Sequence, residues 1–216
     1  KDRYSGEYIR FGSGENNLYR IVSHETEGLT KITSAEPLKS SSSFVTSAFG
    51  TNNTFSSSNT IGTFLNTTYL TASNGYLTSA QINMINSSTW YLGAVYTGYN
   101  YRLAKYTTAT GTTTTKSTTA RVGLLRTGEL MSGQYERSLV KGGSTSTNLT
   151  TSYWLITKHH PTSGTSTIIN ASAATIASAT PSTTRAGIKP ALNLKATVVI
   201  TGGVGTKEDP FEIAIS

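Results

Sequence analysis

The sequence predicts a β-rich α+β domain with two or three short helices and long Ser/Thr-rich loops. Three observations lead there. Short runs with apolar residues at near-alternate positions recur at residues 6–11, 17–22 and 153–157 and through the closing segment, 185–215. That period of two is what a half-buried strand needs. Uncharged polar residues take the place of charge: only 13% of the 216 residues are charged, against 36% hydrophobic, and the usual charged share is about 25%. Apolar residues at helical spacing occur only in short stretches. Aromatic residues recur along the chain, so there is material for a core and the composition does not read as disordered. A chain of this length buries such a core without covalent staples.

In chain order, residues 6–11 (GEYIRF) and 17–22 (NLYRIV) read as strands paired around Gly12-Ser13-Gly14-Glu15, and residues 29–33 continue the alternation. Residues 39–58 are polar with isolated aromatics at Phe44, Phe49 and Phe55, which reads as an ordered but irregular loop. A helix follows, capped by Ser58 or Asn59, with Ile61, Phe64, Leu65 and Tyr69 on one face. Asn74-Gly75 marks a turn. Thr78 and Gln81 then match a capping box, where a hydroxyl and a side-chain amide reciprocally satisfy exposed backbone N–H groups. Ile82 and Ile85 make the buried face of that second helix.

Residues 90–106 are the most aromatic stretch and read as a strand, a turn at Gly98 and another strand. The Thr tract at 107–119 reads as an exposed loop or hairpin tip, and residues 121–125 as a buried strand. A short helix over 128–132 takes Thr127 as N-cap and carries Glu129 in its first turn, where a carboxylate suits the helix dipole. Residues 141–151 form a second polar loop, and 153–157 (YWLIT) a core strand. The Ser/Thr/Ala-rich residues 163–184 read as mobile or loosely ordered. The chain closes with strands over 188–195, 197–200 and 211–215, with a turn at Gly202, Gly203 and Gly205 and with Asp209-Pro210 before the last strand. No internal repeat or interdomain linker is visible, so residues 1–216 read as one domain.

Cysteine is absent, which removes disulfides, thiolate nucleophiles and Cys-ligated metals together. A Lys–Asn isopeptide crosslink stays open as another covalent staple, readable as an intact mass lower by one ammonia. No apolar run approaches the roughly 20 residues that span a bilayer, and no signal peptide is seen. The expectation is an exported protein whose export signal or anchor is not part of this stretch. The net charge of +7 favours anionic partners such as nucleic acid or teichoic acid. The Lys and Arg residues are scattered singly, however, as on an ordinary solvated surface.

Several segments, in order, resemble a broad group of bacterial surface and pilin-associated domains: GEYIRF with NLYRIV, IGTFLNTTYL, YNYRLA, VGLLRTGELMSG, YWLIT and the closing GIKPALNLK with ITGGVGTKEDPFEI. These domains are similar to variants of the C-type-lectin fold in cell-surface proteins of Gram-positive bacteria. The fold also carries retroelement-diversified ligand-binding domains and formylglycine-generating enzymes. The resemblance implies a C-type-lectin-like fold with paired first and last strands, and a role in recognition rather than chemistry. The chain departs from the sugar-binding lectins of this fold: Glu36-Pro37 is followed by Leu38, and neither Trp90 nor Trp154 is followed by Asn. Calcium-held sugar binding of that type is therefore not expected.

The titratable residues give little else. Asp2 and Asp209 are the only aspartates, whereas calcium cages need several carboxylate oxygens. Glu25 and Glu27 read as part of a solvated loop. His159 and His160 are adjacent, so on a strand they point to opposite faces and cannot readily chelate one ion. The Gly202–Gly205 segment lacks the spacing of a phosphate loop. Stiff amphipathic aromatics suit a recognition surface, which singles out Tyr96, Tyr99, Tyr101 and Arg102. The resemblance adds loop residues before the closing strands: Lys158, His159, His160 and Arg185. The expectation is a non-enzymatic, cofactor-free and metal-free adhesin-like or pilus-tip module, extracellular at the cell surface. It would bind a glycan or a host or cell-surface protein without inserting into the membrane. The alternatives are a structural subunit of a surface filament or pilus, and a salt-sensitive binder of DNA or teichoic acid.

Overall fold

The expected opening hairpin forms, and everything else in the first sheet is added to it. A computed structural model describes residues 3–93, 117–132, 151–159, 164–171 and 175–216. β1 (Tyr8–Arg10) pairs antiparallel with β2 (Leu18–His24), and β2 with β3 (Thr30–Ser34). The polar segment after β3 is irregular as expected. It contains only the two-residue strands β4 (Lys39–Ser40), β5 (Ser43–Phe44) and β6 (Thr46–Ser47). α1 (Thr60–Thr63) is capped by Asn59, whose side chain accepts from the Gly62 N–H at 2.8 Å, and runs on into one π-helical turn over Phe64–Thr68. Ile61, Leu65 and Tyr69 are fully buried on the expected face. In the wide turn, Asn66 bonds both the N–H and the C=O of Val122. α2 (Ser79–Met84) carries the complete Thr78/Gln81 capping box.

β7 (Ile85–Asn86) and β8 (Ser88–Tyr91) follow, and β8 pairs with β9 (Ser117–Ala120), so the end of the Thr tract is strand. β10 (Val122–Leu124) leads into α3 (Thr127–Ser132). Thr127 is the first residue of that helix rather than its cap. The Leu130 N–H bonds the Arg126 carbonyl, and the Thr127 N–H bonds Thr157 Oγ1. β11 (Tyr153–Lys158) is the expected core strand. The segment expected to be loosely ordered instead contains a regular hairpin, β12 (Ser166–Asn170) on β13 (Thr175–Ala179), with five cross-strand pairs. Its Thr and Ile residues suit a pleated surface, and β12 buries Ser166, Thr167, Ile168 and Ile169 against β11.

The closing segment passes between two sheets. β14 (Ala186–Gly187) lies between β11 and β6, completing a sheet of order β13-β12-β11-β14-β6. Two residues later, β15 (Pro190–Leu194) enters the other sheet, of order β1-β2-β3-β15-β10, with β7 also on β15. β15 is buried along its whole length. Ile21, Ile32, Leu192 and Val122 form one cross-strand row on one face of this sheet. The opposite face is packed by Trp90, which sits on Gly123: a Cβ there would lie 2.7 Å from the indole ring.

β16 (Val198–Gly202) and β17 (Glu212–Ile215) form a two-stranded hairpin. Its turn needs Gly203, at φ +76°, where a Cβ would meet the Pro210 carbonyl oxygen at 2.1 Å. Asp209 stabilises the turn, its carbonyl accepting from the Val204 and Gly205 N–H groups. The two ends of the chain meet in a short parallel bridge, Ile9 opposite Phe211, with Arg10 N–H to Phe211 O at 2.9 Å and Phe211 N–H to Tyr8 O at 3.0 Å. The coarse expectation therefore stands: a β-rich α+β chain with three short helices among the described residues. Among those residues no helix is long and apolar enough to cross a membrane.

The close fit of Trp90 on Gly123 yields a test. Gly123→Ala should lower stability by about 1–3 kcal/mol, the usual cost of overpacking a dense core. Urea unfolding followed by tryptophan fluorescence measures it. An unchanged midpoint would show that the indole shifts freely.

Candidate functional site

The β16–β17 hairpin leans against the end of the first sheet and leaves an open groove of about 830 Å³ between them. Ile9 of β1, Ile21 of β2 and Leu194 of β15 line the sheet side, while Val198, Val199, Ile200 and Ile213 line the hairpin side, with Phe211 at the bridge. Alternation explains the apolar floor: Ile9 is the buried position of β1 between half-buried Tyr8 and exposed Arg10, and Ile21 and Leu194 are buried on β2 and β15. It does not explain the hairpin, where Val199 and Ile200 are adjacent and both remain over 40% exposed, at 41% and 43%. Neighbours on a strand point to opposite faces, so both faces of β16 are incompletely covered. Ile215 and Val204 extend the exposed apolar surface of the same hairpin.

The polar groups of the groove sit at one end. His24 Nε2 is 2.9 Å from the Arg3 carbonyl oxygen and its Nδ1 is 3.2 Å from Thr30 Oγ1, so the ring is held on both sides. The Arg3 guanidinium stacks 4.8 Å from the centre of the Phe211 ring. Lys195 adds a second cation to the lining. Glu25 also lines the groove, but its carboxylate faces inward, accepting from Ser23 Oγ at 2.6 Å and lying 3.8 Å from Lys31 Nζ. Its side chain is only 7% exposed, so the solvated-loop reading holds for exposed Glu27 and not for Glu25. A bulge between Ile21 and Ser23 shifts the β2–β3 register and brings Ser23 opposite Lys31.

Behind Glu25 lies a buried charged cluster that the sequence did not single out. Lys31 points from β3 into the packed face under Trp90, with its ammonium 5.0 Å from the indole centroid. Glu129, from α3, meets it at 2.5 Å through Oε1, while Oε2 accepts the Arg126 N–H at 3.0 Å. Burial alone would push the Glu129 carboxyl up. The Lys31 ammonium, aided by the Arg126 N–H and the Arg126 charge, outweighs that and holds it below the usual carboxylate range. Directly opposite Lys31 on β15 stands Asn193, which is 5% exposed and whose Oδ1 has no hydrogen-bond partner among the described residues.

The residues predicted for recognition from sequence do not gather in this groove. Tyr96, Tyr99, Tyr101, Arg102 and His160 lie outside the described residues. Lys158 ends β11, half-buried and opposite Ser166; His159 follows it, half-buried, with its N–H on the Thr165 carbonyl at 3.2 Å. Arg185 is exposed, and its guanidinium donates to the Thr46 carbonyl at 2.6 Å. Since β14 runs parallel to β11 with Gly187 opposite Tyr153, Arg185 sits at the start of β11 and Lys158 at its end. At about 3.3 Å per residue the two are separated by most of the sheet's height. No family model matches the chain, and no curated protein or solved structure matches it.

The buried pair has an energetic consequence. Lys31→Met leaves two buried carboxylates without their cation and should cost about 3–5 kcal/mol. Lys31→Met combined with Glu129→Gln should recover part of that loss. Urea denaturation of both variants measures the difference; equal stability of the two would mean that the pair is not coupled.

Proposed function

We propose that this chain is a non-enzymatic recognition domain displayed outside the cell, built on a C-type-lectin-like fold, which binds an extended segment of a protein partner. The observation that carries this reading is the open apolar groove beside the exposed β16 residues Val199 and Ile200. Sugar sites depend on polar groups and aromatic platforms, whereas this lining is mainly aliphatic, which favours a protein segment over a glycan. Among the described residues, β16 pairs only with β17, so its other edge has backbone groups to offer. A peptide added there would gain main-chain hydrogen bonds, with alternate side chains seated in the groove. The cations at its end, Arg3 and Lys195, suit an acidic residue or terminal carboxylate on that segment.

The same hairpin supports a second reading, a structural subunit of a surface filament, in which the added strand comes from another copy. Exposed, flat, apolar strand edges are templates for such pairing.

Retention on an immobilised matrix-protein panel and a glycan panel, each run with calcium and with chelator, separates these readings. The recognition reading expects protein-selective binding that persists in chelator. It also expects Ile200→Glu to weaken that binding about tenfold or more, the effect of losing one well-packed apolar contact. Glycan-only retention, or loss in chelator, would overturn it. Absence of binding together with concentration-dependent fibres, seen by electron microscopy and abolished by Ile200→Glu, would establish the filament reading.

A further inference from the structure

We propose that Lys31 and Asn193 are joined by an isopeptide bond, formed within the folded chain with Glu129 as the proton relay. Three observations place the reactants. Register sets Lys31 of β3 directly opposite Asn193 of β15, and opposed residues of an antiparallel pair project from the same face with Cβ atoms about 4.5–5.5 Å apart. Both side chains are almost wholly out of water: Lys31 is 5% exposed and Asn193 is 5% exposed. The Asn193 Oδ1 atom has no hydrogen-bond partner among the described residues although it is buried. Among the described residues no donor engages that oxygen, so nothing there holds the amide through Oδ1 away from Lys31.

The chemistry needs a neutral amine, an amide carbon within its reach, and a group that moves protons between the two nitrogens. Glu129 Oε1 lies 2.5 Å from Lys31 Nζ, close enough to accept a proton from the ammonium. Trp90 covers the site, with its ring centre 5.0 Å from the Lys31 nitrogen; the ion pair is the favoured state there, and its less populated neutral form is the one that reacts. The freed amine attacks Cγ of Asn193, and Oδ1 carries the developing negative charge. The attacking nitrogen gives up a proton, the Nδ2 nitrogen gains one, and the Cγ–Nδ2 bond breaks. The products are a secondary amide between the two side chains and one ammonia. The original ammonium proton remains on Glu129 or leaves with the ammonia as ammonium. Atoms and charge balance with no oxidant, metal or co-reactant.

The pairing is selective. Asn86 is next in the same cross-strand row, but it lies beyond Asn193 on β7 and its amide donates to the Ser87 carbonyl and Ser88 Oγ. Glu25 Oε1, at 3.8 Å from Lys31 Nζ, is farther than Glu129 and already accepts from Ser23.

Intact mass spectrometry of the purified, folded chain tests the assignment, followed by tryptic mapping. The expected result is a mass below the sequence mass by one ammonia, with a branched peptide linking Lys31 to Asn193. Asn193→Ala and Glu129→Gln should each have the full mass of their own sequence. A wild-type mass equal to that of the sequence overturns the proposal without recourse to any variant. A deficit that maps to Asn74-Gly75, where succinimide formation also expels ammonia and hydroxylamine would cleave the chain, overturns it too. A deficit retained in Glu129→Gln would overturn the role of Glu129. None of these outcomes depends on what the groove binds.

Discussion

A lysine in the middle of a buried sheet is the constraint from which much of the first sheet follows. An ammonium cannot be stripped of water unless compensating groups are brought to it, and β3 has none of its own facing the right way. Glu129 arrives on α3, 98 positions along the chain, and meets Lys31 at 2.5 Å. Trp90 arrives on β8 to cap the ammonium, and its own N–H is satisfied by the Ala120 carbonyl at 3.0 Å on β9. Trp90 fits only because residue 123, two strands over, is glycine. Helix α3, the β8–β9 hairpin and the β3–β15–β10 strands are thus fixed relative to one another by a single side chain. A purely apolar residue at position 31 would relax that requirement and leave the helix less strictly placed.

The opposite face of the same sheet obeys a simpler rule. Ile21, Ile32, Leu192 and Val122 stand in register and need only be dry. Nearby, Tyr19 and Tyr69 bury their hydroxyls entirely and hydrogen-bond to each other. Burial pushes both phenols far above their ordinary range, so each stays neutral and the pair functions as a polar clasp between β2 and the π-helical turn. The buried charge of Lys31 and Glu129 lies on one face and the Tyr19–Tyr69 pair on the other.

What could be read from the sequence follows the reach of each signal. Local signals were sufficient where the partner lies nearby: the Thr78/Gln81 box, the β1–β2 hairpin and the Asn59 cap need only three to ten residues of context. The turn at Asp209-Pro210 is of the same kind. Composition misled where it was read as a conformation. Residues 163–184 are rich in Ser, Thr and Ala, yet Thr and Ile are good strand residues and small side chains let β12 lie against β11. The buried cluster was not legible: Lys31 stands in the polar run Thr-Lys-Ile-Thr-Ser, only Asn193 interrupts an otherwise apolar strand, and nothing local tells that Glu129 will reach one and that register will align the other. The aromatic residues chosen for recognition were chosen for chemistry and the loop residues for the resemblance, and strand direction then placed Lys158 and Arg185 at opposite ends of β11.

The groove and the buried cluster are joined mechanically as well as by Glu25. β15 ends at Leu194, and only Lys195, Ala196 and Thr197 separate it from β16. Any partner that pulls on the hairpin pulls on the end of β15; the hairpin is held by buried Phe211 and its bridge to Ile9, by the Tyr8 N–H on the Gly205 carbonyl at 2.8 Å, and by an exposed Arg10–Glu212 pair at 2.8 Å. Exposed pairs of that kind contribute at most about 1 kcal/mol. Hydrogen bonds between β15 and β3 would then take the load one after another from the Leu194 end, a peeling geometry in which each bond fails alone. Asn193 is the second residue along that path. A covalent bond from Asn193 to Lys31 would stop the peel at its start and pass the load to β3 and, through Glu129, to α3. The proposed crosslink would lie where a hairpin that binds a partner under tension needs it, and a chain with no cysteine has no disulfide to place there.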